Sequence, residues 1–327
     1  MKHIFVVHSN ICCIVIRSYI LKLIGAGEQV IVITYRGQKW PFDKRNIRII
    51  DFSTLFQKYY VYHVSSIKEY FRRLIYQYKM KKFINQLVKG QEYILYIPNY
   101  AVDYQTYLAE NRWCRGYYFI EEGTLAYTPI DYLKRKEQKK DLIQRFKNFA
   151  GISNHFFLET TNKFKGTIAI TNEAFRWNNK DRKVVKPIID VDKDYKVHKN
   201  IIVTGYFSSS MSSVKDQMNT LLTFIGQSDE TDIAIKFHPH LYYNFPKKID
   251  EISAFIKTFN NVKVDILPAD YIVEKSIFAG NCNIYSLDKF SSLNIYSVLF
   301  GGHSYTLTDK AVEFHDLNSC IKFVTSN

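Results

Sequence analysis

Short apolar runs alternate with longer amphipathic segments along the whole chain, a pattern that predicts strands joined by helices. Ile4–Val7 reads as a first strand and Ile11–Ile24 as a helix ended by Gly25-Ala26-Gly27, with strands at Val30–Tyr35 and Ile47–Ile50. A long helix is predicted over Ser65–Val88, stopped by Gly90. A strand at Tyr93–Ile97, a helix at Val102–Glu110 and a strand at Gly116–Ile120 follow. A charged helix over Asp131–Phe149 and a strand at Gly166–Thr171 close this half. Strands separated by helix-length segments imply parallel pairing through crossover helices.

The segment Asn178–Lys199 is polar, charged and carries Pro187, which predicts a linker. The alternation then restarts with strands at Ile201–Thr204, Asp232–Phe237, Val262–Ile266, Cys282–Ser286 and Tyr305–Thr308. Helices fall between them at Ser212–Ile225, Ile249–Phe259, Asp270–Phe278 and Ser291–Phe300, with a terminal helix after the last strand. The expected fold class is α/β, with two Rossmann-like domains over residues 1–185 and 186–327 and their parallel sheets facing a central cleft. Sugar transferases use this arrangement under the name GT-B, but a fold does not establish a function.

A chain of 327 residues accommodates two such cores, and 46% hydrophobic with 23% charged residues suits a globular protein. The net charge of +14 favours anionic partners. Basic residues concentrate in Arg72–Lys82 and Lys134–Lys147, read either as solvated helix faces or as attraction to an anionic membrane or a charged glycan acceptor. Nucleic acid is disfavoured, because the basic runs carry no binding motif and no interleaved exposed aromatics. None of Cys12, Cys13, Cys114, Cys282 and Cys320 forms a CxxC pair, and their odd number suits a reducing compartment. The N-terminal apolar run is too brief for a signal peptide, and no stretch approaches the roughly 20 apolar residues of a membrane span. The expectation is a cytoplasmic protein, with peripheral contact at the inner membrane face as its closest approach to lipid.

Ligands in open α/β sheets bind beyond the carboxyl ends of the strands, so the residues at each strand exit matter most. Gly116–Ile120 delivers Glu121-Glu122-Gly123: two adjacent carboxylates beside a turn glycine, either a base site or a solvated acidic loop. Asp232–Phe237 delivers His238-Pro239-His240, with Lys236 nearby. Proline fixes the backbone after His238, and a cationic or proton-donating imidazole there would suit a leaving phosphate. Two histidines could also begin a metal site, but no further ligand stands at a familiar spacing. Cys282–Ser286 leads through Phe290 to Ser291 and Ser292 at a helix start, either an ordinary N-cap or an anion site at the positive end of the helix. Asp190-Val191-Asp192 spells the DxD pattern of metal-dependent sugar transferases, but it lies in the polar linker and reads as solvated.

Taken together and in this order, the acidic-acidic-glycine, His-Pro and Ser-Ser elements resemble those of bacterial sialyltransferases, particularly the lipooligosaccharide and capsule group. The resemblance implies a GT-B-type, inverting, metal-independent enzyme that needs no cofactor and uses CMP-sialic acid as donor. The acceptor would be an oligosaccharide or lipid-linked glycan. By that resemblance the N-terminal domain is acceptor-side and the C-terminal domain binds the CMP-sugar. Glu122 would be the general base, His238 would contact or protonate the departing phosphate, and Ser291 and Ser292 would bind it, while Glu121 supports the loop. Asp270, or Glu274 one turn later, would take the ribose hydroxyls, and Gly205 would either line the cleft or serve as a simple turn glycine, with Gly123 and Pro239 shaping their loops. A single departing phosphate suits a histidine, hydroxyls and a helix end, whereas a diphosphate donor more often needs a divalent ion. Rival readings are a GT-B transferase using CMP-Kdo or a UDP-sugar, and a catalytically silent glycan-binding protein.

Overall fold

The computed structural model describes residues 1–7, 9–34, 47–52, 66–98, 103–129, 162–189, 195–205, 211–226, 232–238, 241–242, 245–259, 263–287, 290–307 and 311–326. They form two compact units, Met1–Ile188 and Ile189–Asn327.

The first unit is built on a seven-stranded parallel sheet. Its strands in chain order are β1 (Lys2–Val7), β2 (Gln29–Thr34), β3 (Ile47–Asp51), β4 (Tyr93–Pro98), β5 (Cys114–Ile120), β6 (Phe164–Ala169) and β7 (Asp181–Val184). In space they run β3-β2-β1-β4-β5-β6-β7. β1 is buried at every residue, as expected of a central parallel strand covered on both faces. Helix α1 (Asn10–Gly25) follows β1, and the Ser9 hydroxyl caps it by accepting from the Cys12 N–H. Helix α2 (Ile67–Val88) opens on a Ser66–Glu69 capping box and ends where Lys89 and Gly90 turn left-handed, at φ 46° and 72°. Helix α3 (Asp103–Glu110) precedes β5.

The predicted linker is a strand in part. Asp181–Val184 pairs in parallel with Gly166–Ala169 as the outermost strand of the sheet. Only one side of an edge strand meets the core, so β7 can be polar without being loop; its residues are exposed or half-buried. Buried Asn178 secures the turn before it, donating to Thr167 Oγ1 at 2.9 Å and to the Asp181 carbonyl at 3.1 Å.

The second unit carries a six-stranded sheet, ordered β10-β9-β8-β11-β12-β13. The strands are β8 (Asn200–Thr204), β9 (Ile233–Lys236), β10 (Val264–Ile266), β11 (Asn283–Leu287), β12 (Ser304–Leu307) and β13 (Ala311–Phe314). All neighbours pair in parallel except β13, which runs antiparallel to β12. The sequence reading passes from β12 directly to the terminal helix and so misses β13, a strand of only four residues. The helices are α4 (Met211–Gly226), α5 (Pro246–Ile256), α6 (Val273–Ala279), α7 (Ser292–Leu299) and α8 (Leu317–Ser326). Val214, Met218 and Leu222 of α4 and Ile252 and Ile256 of α5, spaced four apart, pack with Ile202, Ile233, Ile235, Phe237, Tyr285 and Leu287 in one core. Each such buried side chain contributes about 1.5–3 kcal/mol of transfer free energy.

All five cysteines are buried free thiols. Among the described residues, no helix is long and apolar enough to cross a membrane. The predicted helix at 131–149, with the basic run 134–147, lies outside the described residues. The other basic run, Arg72–Lys82, lies on α2, where Tyr76 and Met80 are buried and Arg72, Lys79, Lys81 and Lys82 are exposed. Tyr78 is exposed among them, so this run does carry an interleaved exposed aromatic, contrary to the sequence expectation.

Candidate functional site

At the exit of β5 the two adjacent acids have different surroundings. Glu121 is fully buried. Its Oε1 accepts from the Tyr127 hydroxyl at 2.7 Å and its Oε2 from the Ile170 N–H at 2.8 Å, while its own N–H donates to the Ile168 carbonyl at 2.8 Å. It therefore ties the end of β5 to the end of β6 and to the 3-10 helix Gly123–Tyr127. Burial, reinforced by the neighbouring Glu121 charge, pushes the Tyr127 hydroxyl far up and keeps it a neutral donor. Glu122 is half-buried and extended, at φ −147° and ψ 101°, and makes no side-chain capping bond to the helix that follows. Gly123 turns the chain at φ 63°, a left-handed conformation that favours glycine. The acidic pair thus divides into one carboxyl committed to the fold and one at its margin.

In the second unit the chain leaves β8 for β9 and β10 on one side, then returns to β11 on the other. The β8–β11 border is therefore the topological switch point, where open α/β sheets bind ligands. Half-buried Gly205 leaves β8 there. His238 leaves β9 beside it, its N–H donating to Thr204 Oγ1 at 3.1 Å and its carbonyl accepting from the Leu241 N–H at 2.8 Å. These main-chain bonds fix the position of His238 against the end of β8. Pro239, expected to supply that constraint, lies outside the described residues, as do His240, Asp190 and Asp192.

After β11 comes α7, whose N-cap is Ser291 with Ser292 as the first helical residue. The Ser291 hydroxyl accepts from the Leu293 N–H at 3.2 Å, and its own N–H donates to Asn294 Oδ1 at 2.8 Å. Fully buried Asn294 also accepts from the Ser286 hydroxyl at 2.6 Å and donates to Ser304 Oγ at 2.7 Å and the Tyr305 carbonyl at 2.9 Å. One amide thereby fixes the helix start relative to β11 and β12. The sequence reading missed Asn294, although the Ser-x-x-Asn spacing from Ser291 is a helix-start signal. Tyr127 and Thr204 were missed as well, and no spacing marks either.

Lys236 Nζ donates to the Pro268 carbonyl at 2.5 Å and the Ala269 carbonyl at 2.7 Å, holding the loop that leads to exposed Asp270. Glu274 is half-buried in the first turn of α6. Burial pushes the Lys236 ammonium down to about 8, with Asp270 and Glu274 pulling the other way. The unfolded lysine keeps its ordinary value of 10.5, so between the two values the unfolded chain binds more protons and stability rises with pH. Below the lower value the full cost of burying the charge is present. The expected result is that the melting-temperature difference between wild type and Lys236→Met shifts toward wild type from about pH 8 to about pH 10. A constant difference across that range would refute the assignment.

No family model matches the chain, and no curated protein sequence matches it. Solved structures that share its fold include the following two. One is the Methanocaldococcus jannaschii UDP-GlcNAc 2-epimerase in complex with UDP-GlcNAc and UDP, at a TM-score of 0.50 and 14% identity over 94% of this chain and 84% of the other. The second, assigned as a UDP-N-acetylglucosamine 2-epimerase from Listeria monocytogenes, has a TM-score of 0.50 and 11% identity over 94% of this chain and 79% of the other. Identities this low show the fold alone, and that fold, two α/β units on parallel sheets, is of the GT-B type.

Proposed function

We propose that this chain is an inverting, metal-independent glycosyltransferase that moves sialic acid from CMP-sialic acid to a terminal sugar, in this reading galactose, of a bacterial surface glycan. The observation that carries this reading lies in the second unit. An anchored His238 and the capped start of α7 occupy strand exits on either side of β8, at the switch point of the sheet. An imidazole, hydroxyls and a helix N-terminus together suit one departing phosphate without a divalent ion.

In the proposed reaction the acceptor oxygen attacks the anomeric carbon as its bond to the CMP phosphate breaks. Glu122 takes the proton from the acceptor hydroxyl, and CMP leaves with the electron pair of the broken bond. His238 donates to the phosphate, and Ser291 and Ser292 bind its oxygens. Asp270 or Glu274 takes the ribose hydroxyls, on a loop that Lys236 holds in place. Glu121 supports the loop that carries Glu122 through its bonds to Tyr127 and Ile170. Gly205 leaves room for the donor to approach the backbone at the end of β8.

Incubation with galactose-ended acceptors and separately with CMP-sialic acid, CMP-Kdo and UDP-N-acetylglucosamine, read by mass, tests the reading. The expected product is the sialylated acceptor, with CMP released. Transfer from either other donor alone would assign the enzyme to a different nucleotide sugar. Binding of CMP without transfer would favour a silent binding protein. Transfer is expected to persist in EDTA; a requirement for added manganese would return Asp190 and Asp192 to the mechanism.

A further inference from the structure

We propose that His303, Glu313 and His315 form a binding site for a divalent transition-metal ion of the zinc type. Their meeting follows from strand register. Ser304 of β12 pairs with Phe314 of β13, and Tyr305 with Glu313. His303 and His315 are therefore the next pair outward along the antiparallel ribbon. Glu313 stands two residues before His315 on the same strand, and alternation turns both toward one face.

The distances suit a metal. The two Nδ1 atoms are 3.3 Å apart. Two nitrogens bound at about 2.0–2.1 Å in a tetrahedral zinc site stand at about that separation from each other. One donor atom from each of the three residues lies within 4.8 Å of the others. Two imidazoles and one carboxylate leave further coordination positions to water and favour zinc, nickel or copper over magnesium.

The His303 backbone is held in place. Its N–H donates to Asn283 Oδ1 at 2.9 Å, and its carbonyl accepts from the Ser297 hydroxyl at 2.8 Å and the Ile284 N–H at 2.9 Å. The preceding Gly302 lies so close to the Cys282 carbonyl that a Cβ would fall 2.1 Å from its oxygen. An ion here would tie β13, and through it α8, to the parallel part of the sheet. His303 precedes β12, so the cluster lies toward the amino end of the parallel strands, opposite the exits that carry His238 and Ser291. The inference stands independently of the transferase reading.

Isothermal titration of the EDTA-stripped full chain with zinc sulfate, and with magnesium chloride for comparison, tests it. One zinc per chain and no magnesium uptake are expected. His303→Gln and His315→Gln should each weaken zinc binding at least about tenfold, as ligand loss does, and abolish the rise in melting temperature that zinc gives the wild type. The His315 side chain is 61% exposed, so its variant should melt with the wild type in EDTA. Absence of saturable zinc uptake, or equal uptake by the His303→Gln/His315→Gln double variant, overturns the proposal and leaves a histidine–histidine hydrogen bond with a flanking ion pair.

Discussion

If the chain is the proposed sialyltransferase, Glu122→Ala and His238→Ala are each expected to lower sialic acid transfer by about 10²- to 10⁴-fold, the contribution of one positioned acid or base, with the circular-dichroism spectrum unchanged. That loss equals about 3–5 kcal/mol of activation free energy. Two backbone bonds at His238, its N–H to Thr204 Oγ1 and its carbonyl from the Leu241 N–H, survive truncation of the imidazole. For Glu122, the amide variant Glu122→Gln keeps the shape and removes only the capacity to take a proton, so it should lose nearly as much activity as alanine. Alanine at Glu121 acts through the fold instead, because both of its oxygens are bound internally. Turnover at the wild-type rate in either Glu122→Ala or His238→Ala removes that residue from the mechanism.

The second large effect is on stability. Gly166 pairs with Asp181 across β6 and β7 at φ 153°, and a Cβ there would lie 1.8 Å from the Asp181 carbonyl oxygen and 2.7 Å from its carbon. Both obstacles are backbone, so no side-chain rotation relieves them. Gly166→Ala must part the two strands or bend one of them. A cost of about 3–5 kcal/mol and a melting temperature lower by about 10 °C are expected. The damage should spread to the acidic pair, since Glu121 takes one of its hydrogen bonds from Ile170, just beyond β6. A melting temperature within about 2 °C of wild type would show that β7 yields at little cost.

The strand exits were legible in the sequence because buried parallel strands are continuous apolar runs, and their ends are marked where polarity begins. Ile233–Lys236 and Asn283–Leu287, buried at every position, are instances. β7 was not legible for the converse reason: an edge strand needs only one apolar side, and Asp181-Arg182-Lys183 resembles a linker in every local respect. Candidate residues were visible as types, but not their contacts. That Glu121 faces inward depends on Tyr127 and Ile170, and the second of these is 49 positions away along the chain. Lys236 stands two residues before His238 in the sequence, but its long side chain also holds a loop 32 residues further on, which no local pattern reveals. A pattern of polarity records which groups need partners, and only the tertiary fold supplies them.

The Glu121 clamp also bears on which side chains that position can tolerate. Its two oxygens meet unlike donors: the Ile170 N–H can only give a proton, whereas the Tyr127 hydroxyl can give or receive one. A glutamine could therefore set its carbonyl toward Ile170 and its amide toward a hydroxyl turned about. Tyr127→Phe offers no such exchange and would strand an oxygen in a dry interior, at about 1–3 kcal/mol. Acid or amide should thus be interchangeable at 121 while the phenol stays fixed, so the outer member of the acidic pair can keep its setting when the inner one loses its charge.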